Sequence, residues 1–258
     1  MGKIVAFHSY KGGTGKTLLS VNLAATYANR GKKVCLFDLD FRAPSHQAAL
    51  KIKDNEHWLN DYLNGVCDVK KVLIDISRGH VRQGELWIGL ANPSTEAIRE
   101  MSGKDRKWEM KALGRLLSLK DSFLNEMEFD YLIWDTSPGL HYSSINAIVS
   151  ADVALVVATI DTSDIEGTRR MTHELYDLFE KKTGILMNKV PAEIISTNTG
   201  KGKMRKQFQA IHGLPILEIV PCFCDILRAG GTYIFTEEKP EHPFTKIVGT
   251  IATKIERF

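Results

Sequence analysis

Short apolar runs alternate with longer amphipathic segments along most of this 258-residue chain. Seven apolar runs predict β-strands, at residues 4–7, 34–37, 86–90, 131–134, 153–157, 184–187 and 216–220. Runs without polar alternation are typical of strands that are covered on both faces, as in a parallel sheet between helices. The pattern therefore predicts an α/β fold with helices on both sides of the sheet.

Helical spacing of apolar residues predicts helices between these strands. Residues 17–29 form the first such segment, and Gly31 follows it as a C-terminal stop. Residues 108–123 and 167–179 also predict helices, whereas residues 43–84 show weaker periodicity, with one short helix around residues 58–63. No linker interrupts the pattern. We therefore expect one domain over residues 1–258, with a twisted, mainly parallel sheet of seven or eight strands.

Composition narrows the class of protein. Hydrophobic residues make up 43% of the chain and charged residues 25%, which is ordinary for a soluble globular protein. No apolar run approaches the roughly 18–20 residues that span a bilayer, and the N-terminus lacks the apolar core of a signal peptide. We expect a cytoplasmic protein whose cysteines are reduced. The net charge of +3 is too small to indicate nucleic-acid binding by itself.

A glycine-rich loop joins the first predicted strand to the first predicted helix. It contains Lys11, Gly12, Gly13, Thr14, Gly15, Lys16 and Thr17. Glycines allow several backbone N–H groups to point at one anion, and the helix N-terminus adds partial positive charge. Lys16 can reach the β- and γ-phosphates, and the Thr17 hydroxyl can ligate Mg²⁺. The loop therefore predicts a site for ATP and Mg²⁺.

Carboxylates follow two of the predicted strands. Asp38 and Asp40 come after the second strand, and Asp135 directly follows the four apolar residues of the fourth. Ligands bind at the carboxyl ends of strands in open α/β sheets. An Asp after an apolar strand has the form that binds Mg²⁺, often through water, in phosphate-loop enzymes.

Lys11 stands where an ordinary phosphate loop requires no lysine. With it the loop resembles the signature Lys-Gly-Gly-x-Gly-Lys-Thr of the deviant Walker A family, the MinD/ParA-type ATPases. The resemblance covers almost the whole chain and implies the three-layer, doubly wound fold of SIMIBI-type P-loop NTPases. It also implies an ATP-dependent homodimer in which Lys11 reaches the nucleotide of the second subunit. A mobile cation would then complete charge stabilisation only after dimerisation.

The same resemblance implies roles for other residues. Asp40 would orient or activate the attacking water, while Asp38 would help to hold the Mg²⁺ shell with Thr17 and Asp135. Lys11 and Lys16 would stabilise phosphate charge. Residues 137–139 resemble switch II, in which a backbone N–H senses the γ-phosphate.

The predicted nucleotide site extends beyond the loop. Leu18, where many relatives have a second threonine, would contribute a backbone N–H. Asn188 would contact adenine, since its amide can both donate and accept. Pro221, after the last strand, would form the second wall of the base pocket.

The implied function is slow, partner-stimulated ATP hydrolysis in a dimerisation switch. Such a switch would position or partition a chromosome, a plasmid, a division site or a large complex, with an unidentified protein activator, at the nucleoid or the membrane. One alternative is an ATP-gated carrier or insertion protein, although the lack of Cys-x-x-Cys counts against a metal cargo. Another is a related bacterial tyrosine kinase, suggested by residues 40–44 and opposed by the missing tyrosine-rich tail.

Three weaker signals bear on partners. Cys222 and Cys224 are close together, but we interpret them as ordinary half-buried cysteines because metal sites usually have two-residue spacing. Residues 244–258 predict a helix with one apolar face, which we assign to core packing in preference to a membrane surface. The basic run at residues 201–206 favours a solvated face over DNA contact. Both DNA and membrane surfaces stay open as partners.

Overall fold

The computed structural model describes residues 2–53, 55–176, 179, 181–229 and 234–258. Within these ranges eight strands form one sheet. They are β1 (Lys3–His8), β2 (Lys33–Leu39), β3 (Leu73–Asp75), β4 (Glu85–Gly89), β5 (Tyr131–Thr136), β6 (Val153–Ala158), β7 (Lys182–Val190) and β8 (Ile216–Pro221). Their order across the sheet is β3-β4-β2-β5-β1-β6-β7-β8.

Every neighbouring pair is parallel except β3 and β4, which are antiparallel. This confirms the mainly parallel sheet and all seven predicted strands. The eighth strand, β3, was not predicted because it has only three residues, none of them fully buried, and lies at the edge of the sheet. Short edge strands carry little hydrophobic pattern.

Helices cover both faces of the sheet. They are α1 (Lys16–Asn29), α2 (His46–Ala49), α3 (Leu59–Asn64), α4 (Thr95–Ser102), α5 (Arg106–Lys120), α6 (Tyr142–Ser150), α7 (Thr162–Met171), α8 (Asn198–His212), α9 (Cys224–Arg228), α10 (Phe235–Glu238) and α11 (Pro243–Arg257). In β1, Val5 and Phe7 join the core that contains α1 and α11, whereas Ile4 and Ala6 join the opposite core. Successive strand residues point to opposite faces, so burial on both faces requires an unbroken apolar run.

Two predicted helix boundaries were wrong because capping residues start the helices earlier. The Asp105 side chain accepts from the Trp108 amide at 2.8 Å, so α5 begins at Arg106 and ends at Lys120, before a π-helical turn. The Asp161 side chain likewise caps α7, which begins at Thr162 and continues as a π-helical segment to residue 176. Residues 177 and 178 of the predicted 167–179 helix lie outside the described residues.

The C-terminal helix packs into the core, as predicted. Phe244, Val248, Ile251 and Ile255 of α11 are buried, and the Tyr27 hydroxyl donates to the Ala252 carbonyl at 3.0 Å. Its apolar face therefore covers α1 and the sheet. In the part of the chain that the structure describes, no helix has both the length and the apolar character needed to cross a bilayer.

The basic run at residues 201–206 is only partly a solvated face, which corrects the prediction. It lies on α8, where Lys201 and Arg205 turn towards the buried Glu218 of β8. The Lys201 ammonium lies 2.7 Å from the Glu218 carboxylate, and Lys254 of α11 pairs with the same carboxylate at 2.7 Å. Lys203 and Lys206 stay exposed.

Cys222 and Cys224 are exposed, not half-buried as predicted. They follow the last ladder pairing of β8, at Pro221, where the chain leaves the sheet and begins the short helix α9. Cys35, by contrast, lies inside β2, and its burial raises the pKa of its thiol well above the usual value.

Candidate functional site

The carboxyl ends of β1, β2 and β5 meet at one edge of the sheet. Asp38 of β2 and Asp135 of β5 are register partners across neighbouring parallel strands, and both are 1% exposed. Burial raises the pKa of Asp135 to about 6, although His46 and the nearby Thr17 hydroxyl oppose that shift. The structure thus brings three residues predicted to bind the metal, Thr17, Asp38 and Asp135, to one place.

The glycine-rich loop links β1 to α1 beside these carboxylates. Gly13 and Gly15 have φ angles of +77° and +97°, a left-handed conformation that glycine adopts without steric cost. Lys16 opens α1 and is buried, and its ammonium donates to the Ser9 hydroxyl at 3.0 Å. Burial lowers the pKa of Lys16, and Asp135 and Asp40 act in the opposite direction.

Two residues at the end of β7 hold the loop from outside. The Asn188 amide donates to the Thr14 carbonyl at 2.7 Å, and the Lys189 ammonium donates to the Gly13 carbonyl at 2.7 Å. Because both bonds use loop carbonyls, they leave loop N–H groups free to face an anion. The Lys189 contact was not anticipated from the sequence, and the Asn188 contact differs from the predicted contact with adenine.

A cavity of about 50 Å³ lies against the loop. Its walls include Gly15, Leu18, Asn188, Pro221, Phe223 and Phe244. The structure therefore brings together Leu18, Asn188 and Pro221, the residues predicted to extend the nucleotide site. Phe223 was missed, since nothing in the sequence around it matched a nucleotide motif. Its ring packs edge-on against Phe244, with centroids 6.1 Å apart.

Asp40 connects the loop after β2 to the loop after β5. Its carboxylate accepts from the Ser137 hydroxyl at 2.7 Å and from the Ala43 amide at 3.1 Å. The Asp40 amide in turn donates to the Asp38 carboxylate at 3.1 Å. Further along, the Gly139 amide donates to the Ser9 carbonyl at 2.9 Å. The Ser9 hydroxyl donates to the Lys11 carbonyl at 2.6 Å, so the loop after β2, the predicted switch II segment and the glycine-rich loop form one connected network.

Lys11 lies at the exposed rim of the site. Its side chain is 42% exposed, and its ammonium donates to the Asp161 carboxylate at 2.8 Å and to the Ser163 hydroxyl. The hydrogen bond from Lys11 holds the pKa of Asp161 far below its usual value. Sequence reasoning missed Asp161 and Ser163 because they lie about 150 residues from the loop.

His46 is another residue that the sequence did not indicate. Its ring is fully buried, with Nδ1 3.0 Å from an Asp38 oxygen and Nε2 3.5 Å from an Asp135 oxygen. Burial lowers the pKa of His46, but Asp38 and then Asp135 outweigh it and raise the pKa to about 9. His46 lies in the segment of weak periodicity, where a lone histidine six positions after Asp40 was the only available signal.

His8, to which the sequence assigned no role, lies beneath Gly139. Its Nε2 is 2.8 Å from the Gly139 carbonyl and its Nδ1 is 2.7 Å from the Tyr176 hydroxyl. A carbonyl only accepts, so Nε2 carries the hydrogen and Nδ1 accepts from the hydroxyl. Burial lowers the pKa of His8 to about 4, so the ring is neutral near pH 7.

The oxygen atoms at this edge of the sheet are suitable ligands for a hard cation that is held beside a phosphate. Both carboxylate oxygens of Asp135 and the Thr14 hydroxyl are buried without a well-formed hydrogen bond to any described residue. Such groups are normally satisfied in folded proteins, and oxygen ligands are those that Mg²⁺ prefers. The described residues contain no group of three or more His, Cys, Asp or Glu side chains placed to hold a metal on their own.

Comparisons with known proteins agree with this geometry. The profile of a family described as an AAA domain matches residues 2–188. An uncharacterised ATP-binding protein of Methanocaldococcus jannaschii is 27% identical over 253 residues, which are 97% of this chain and 86% of that protein. The septum site-determining protein MinD of Thermotoga maritima is 27% identical over 239 residues, covering 91% and 80% of the two chains.

A solved structure has the same fold. MinD of Pyrococcus horikoshii, complexed with Mg-ADP, superposes with a TM-score of 0.76 and covers 100% of this chain and 97% of its own. The sequence identity between the two chains is 20%, so this similarity establishes the fold alone.

Proposed function

The chain belongs to this AAA-domain family of MinD/ParA-type P-loop ATPases, and on that premise we propose that it is a Mg²⁺-dependent ATPase working as an ATP-driven dimerisation switch. In the proposed cycle ATP closes the dimer, a partner or surface binds the closed form, and slow hydrolysis stimulated by a protein activator releases it. The cellular role is spatial positioning or partitioning, as the name of the MinD relative suggests for that protein.

One observation supports the proposed ATP-dependent dimer. Lys11 belongs to the loop, yet its ammonium is at the rim and half-exposed, while the buried Lys16 already faces the carboxylates. A lysine at the rim is placed to reach a phosphate group that approaches from outside the chain. A second copy of this protein brings such a group, and its arrival completes the positive charge around the transferred phosphoryl.

The proposed roles of the other site residues are those that the resemblance to the family implies. Lys16 would stabilise phosphate charge, Thr17, Asp38 and Asp135 would hold the Mg²⁺ shell, and Asp40 would orient the attacking water. Bound Mg²⁺ neutralises charge on the phosphate oxygens. Asp40 suits its role because Ser137 and two loop amides fix its carboxylate next to the metal-facing residues.

The base lies in the cavity beside the loop. Leu18 and Pro221 supply apolar contact there, and Asn188 stands at the boundary between base and phosphates.

We propose that the switch is cytoplasmic and peripheral at the nucleoid or the membrane. The buried apolar face of α11 argues against that helix as a membrane anchor, whereas Lys203 and Lys206 are exposed for phosphate contact.

Light scattering with and without ATP and Mg²⁺ tests the switch. The wild type is expected to dimerise with ATP, Asp40→Ala to stay dimeric because hydrolysis is blocked, and Lys11→Ala to dimerise weakly. Lys107→Ala, which removes an exposed lysine of α5, is the matched control and should behave as the wild type. A wild-type protein that binds Mg·ATP and stays monomeric would refute the mechanism.

Co-sedimentation of the Asp40→Ala dimer with DNA and with liposomes then identifies the surface. A DNA signal that falls steeply with salt indicates phosphate contacts of the ParA type. Binding to anionic liposomes alone assigns the surface to the membrane.

A further inference from the structure

The ring of His46 bridges the two carboxylates that face the proposed metal. Its two nitrogens lie at different corners of one rigid ring, Nδ1 3.0 Å from an Asp38 oxygen and Nε2 3.5 Å from an Asp135 oxygen. Neither contact has the geometry of a well-formed hydrogen bond, so both are close polar contacts at ion-pair distance. The geometry therefore places one planar, rigid ring against both carboxylates.

The two carboxylates need such a bridge. They are register partners on adjacent strands and almost fully buried, so their charges repel at short range. Backbone geometry fixes their Cα atoms but leaves both side-chain orientations open. A rigid ring between them sets both orientations at once, which a flexible lysine would not do.

His46 also ends the loop that begins at Asp40. At the start of this loop, the Asp40 carboxylate accepts from the Arg42 and Ala43 amides and from the Ser137 hydroxyl. At its far end, His46 is fixed between Asp38 and Asp135. A loop of five residues, 41–45, is thus anchored at both ends to the same site, so its conformation depends on both anchors.

We propose that His46 is a positioning residue: it sets the Asp38 and Asp135 carboxylates for the metal and, through residues 41–45, holds Asp40 in its water-orienting place. The inference rests on the proposed function and concerns the same site. His46 acts through the carboxylates, without touching nucleotide. Removing a group that orients metal ligands in this way commonly lowers metal affinity by roughly 10- to 100-fold.

Three substitutions separate the two contacts. His46→Asn places an amide donor near the position of Nδ1, towards Asp38. His46→Gln places one near the position of Nε2, towards Asp135. His46→Ala removes both contacts. His80→Ala, which changes a histidine outside the site, is the matched control, and circular dichroism confirms that each variant is folded.

The first readout is metal affinity, measured by Mn²⁺ electron paramagnetic resonance in the presence of ADP. We expect about a tenfold loss in His46→Ala and partial recovery in His46→Asn and His46→Gln. Binding of a fluorescent ATP analogue in EDTA should stay within about twofold of wild type, because the phosphate loop is unchanged. Turnover with saturating Mg·ATP should fall about tenfold in His46→Ala, since Asp40 loses its anchored loop.

Two outcomes would overturn the inference. One is wild-type Mn²⁺ affinity and turnover in all three His46 variants. The other is an equal loss of nucleotide binding with and without metal, tracking lower thermal stability, which is the signature of a merely structural residue. Neither outcome affects the dimer, which the wild-type light-scattering experiment tests separately.

Discussion

The ammonium of Lys11 and the carboxylate of Asp161 form an ion pair at 2.8 Å within one chain. Asp161 also caps α7, since its carboxylate accepts from the amides of Ser163 and Asp164. The lysine proposed to serve a second subunit is therefore held by the N-terminus of α7 in its own subunit. Contact with a partner's nucleotide requires Lys11 to leave Asp161, so the two contacts compete.

This competition predicts that Asp161→Asn dimerises at a severalfold lower ATP concentration than wild type. Asparagine keeps an acceptor for the α7 cap but removes the charge that holds Lys11. The shift should be modest and should shrink with added salt, because exposed ion pairs are weak and screened. ATP titration followed by light scattering measures it. Asp105→Asn, which changes the equivalent cap of α5, should leave the midpoint unchanged, and a higher midpoint in Asp161→Asn would contradict competition.

Asn188→Ala should weaken ATP and ADP binding by a similar factor, about five- to thirtyfold. The substitution removes the bond to the Thr14 carbonyl and leaves a buried loop acceptor unpaired, which costs about 1–2 kcal/mol. Fluorescence titration of labelled ATP and ADP gives both affinities, and Asn125→Ala on the surface is the control. Unchanged affinity with lost preference for adenine over guanine would instead assign Asn188 to base recognition.

Gly15→Ala should abolish nucleotide binding while the protein stays folded. The φ of +97° strains any L side chain by about 1–2 kcal/mol, and the new methyl would collide with the Asn188 amide. Gly114→Ala on α5 is the matched control, because a methyl there meets nothing within 4 Å and should stabilise the helix slightly. Isothermal titration with ADP and thermal melting distinguish the two. Retained ADP affinity in Gly15→Ala would show that the loop conformation is not required.

The part of the site that sequence could predict is the part encoded by neighbouring residues. The phosphate loop needs its glycines, lysine and threonine close together along the chain, so the seven residues 11–17 are enough to predict its chemistry. Asp38 and Asp135 were also predictable, because parallel strands bring their carboxyl ends to one edge of the sheet. Their pairing in register was not predicted, because parallel strands can pair in more than one register, and the structure supplies it.

The parts that sequence could not predict depend on contacts between distant segments. His46 lies in a segment without periodicity, and only folding places it between two strand ends. Asp161 is 150 positions from Lys11, and Tyr176 is 168 positions from His8. A single buried histidine is more often a satisfied core residue than a functional one, so its partners must be seen before it can be interpreted.

His8 is expected to make the free energy of unfolding depend on pH between about pH 4 and pH 6.5. Its pKa is lowered from 6.5 to about 4, first by burial. Between these values the unfolded chain binds a proton at this histidine that the folded chain does not. His8 therefore contributes about 3 kcal/mol to the free energy of unfolding above pH 6.5. This contribution is lost as the pH falls towards 4.

The His8→Gln variant isolates this effect. Glutamine keeps a donor for the Gly139 carbonyl but does not titrate, so its unfolding free energy should fall less than that of wild type between pH 7 and pH 4.5. Urea unfolding at half-unit pH steps measures the difference between the two curves. Tyr176→Phe, which removes the hydroxyl that His8 Nδ1 accepts from, should lower stability at pH 7 and keep an acid-dependent loss, because the histidine stays buried. If wild type and His8→Gln lose stability in parallel, a different group causes the acid sensitivity and the Gly139–His8–Tyr176 connection does not titrate as the structure indicates.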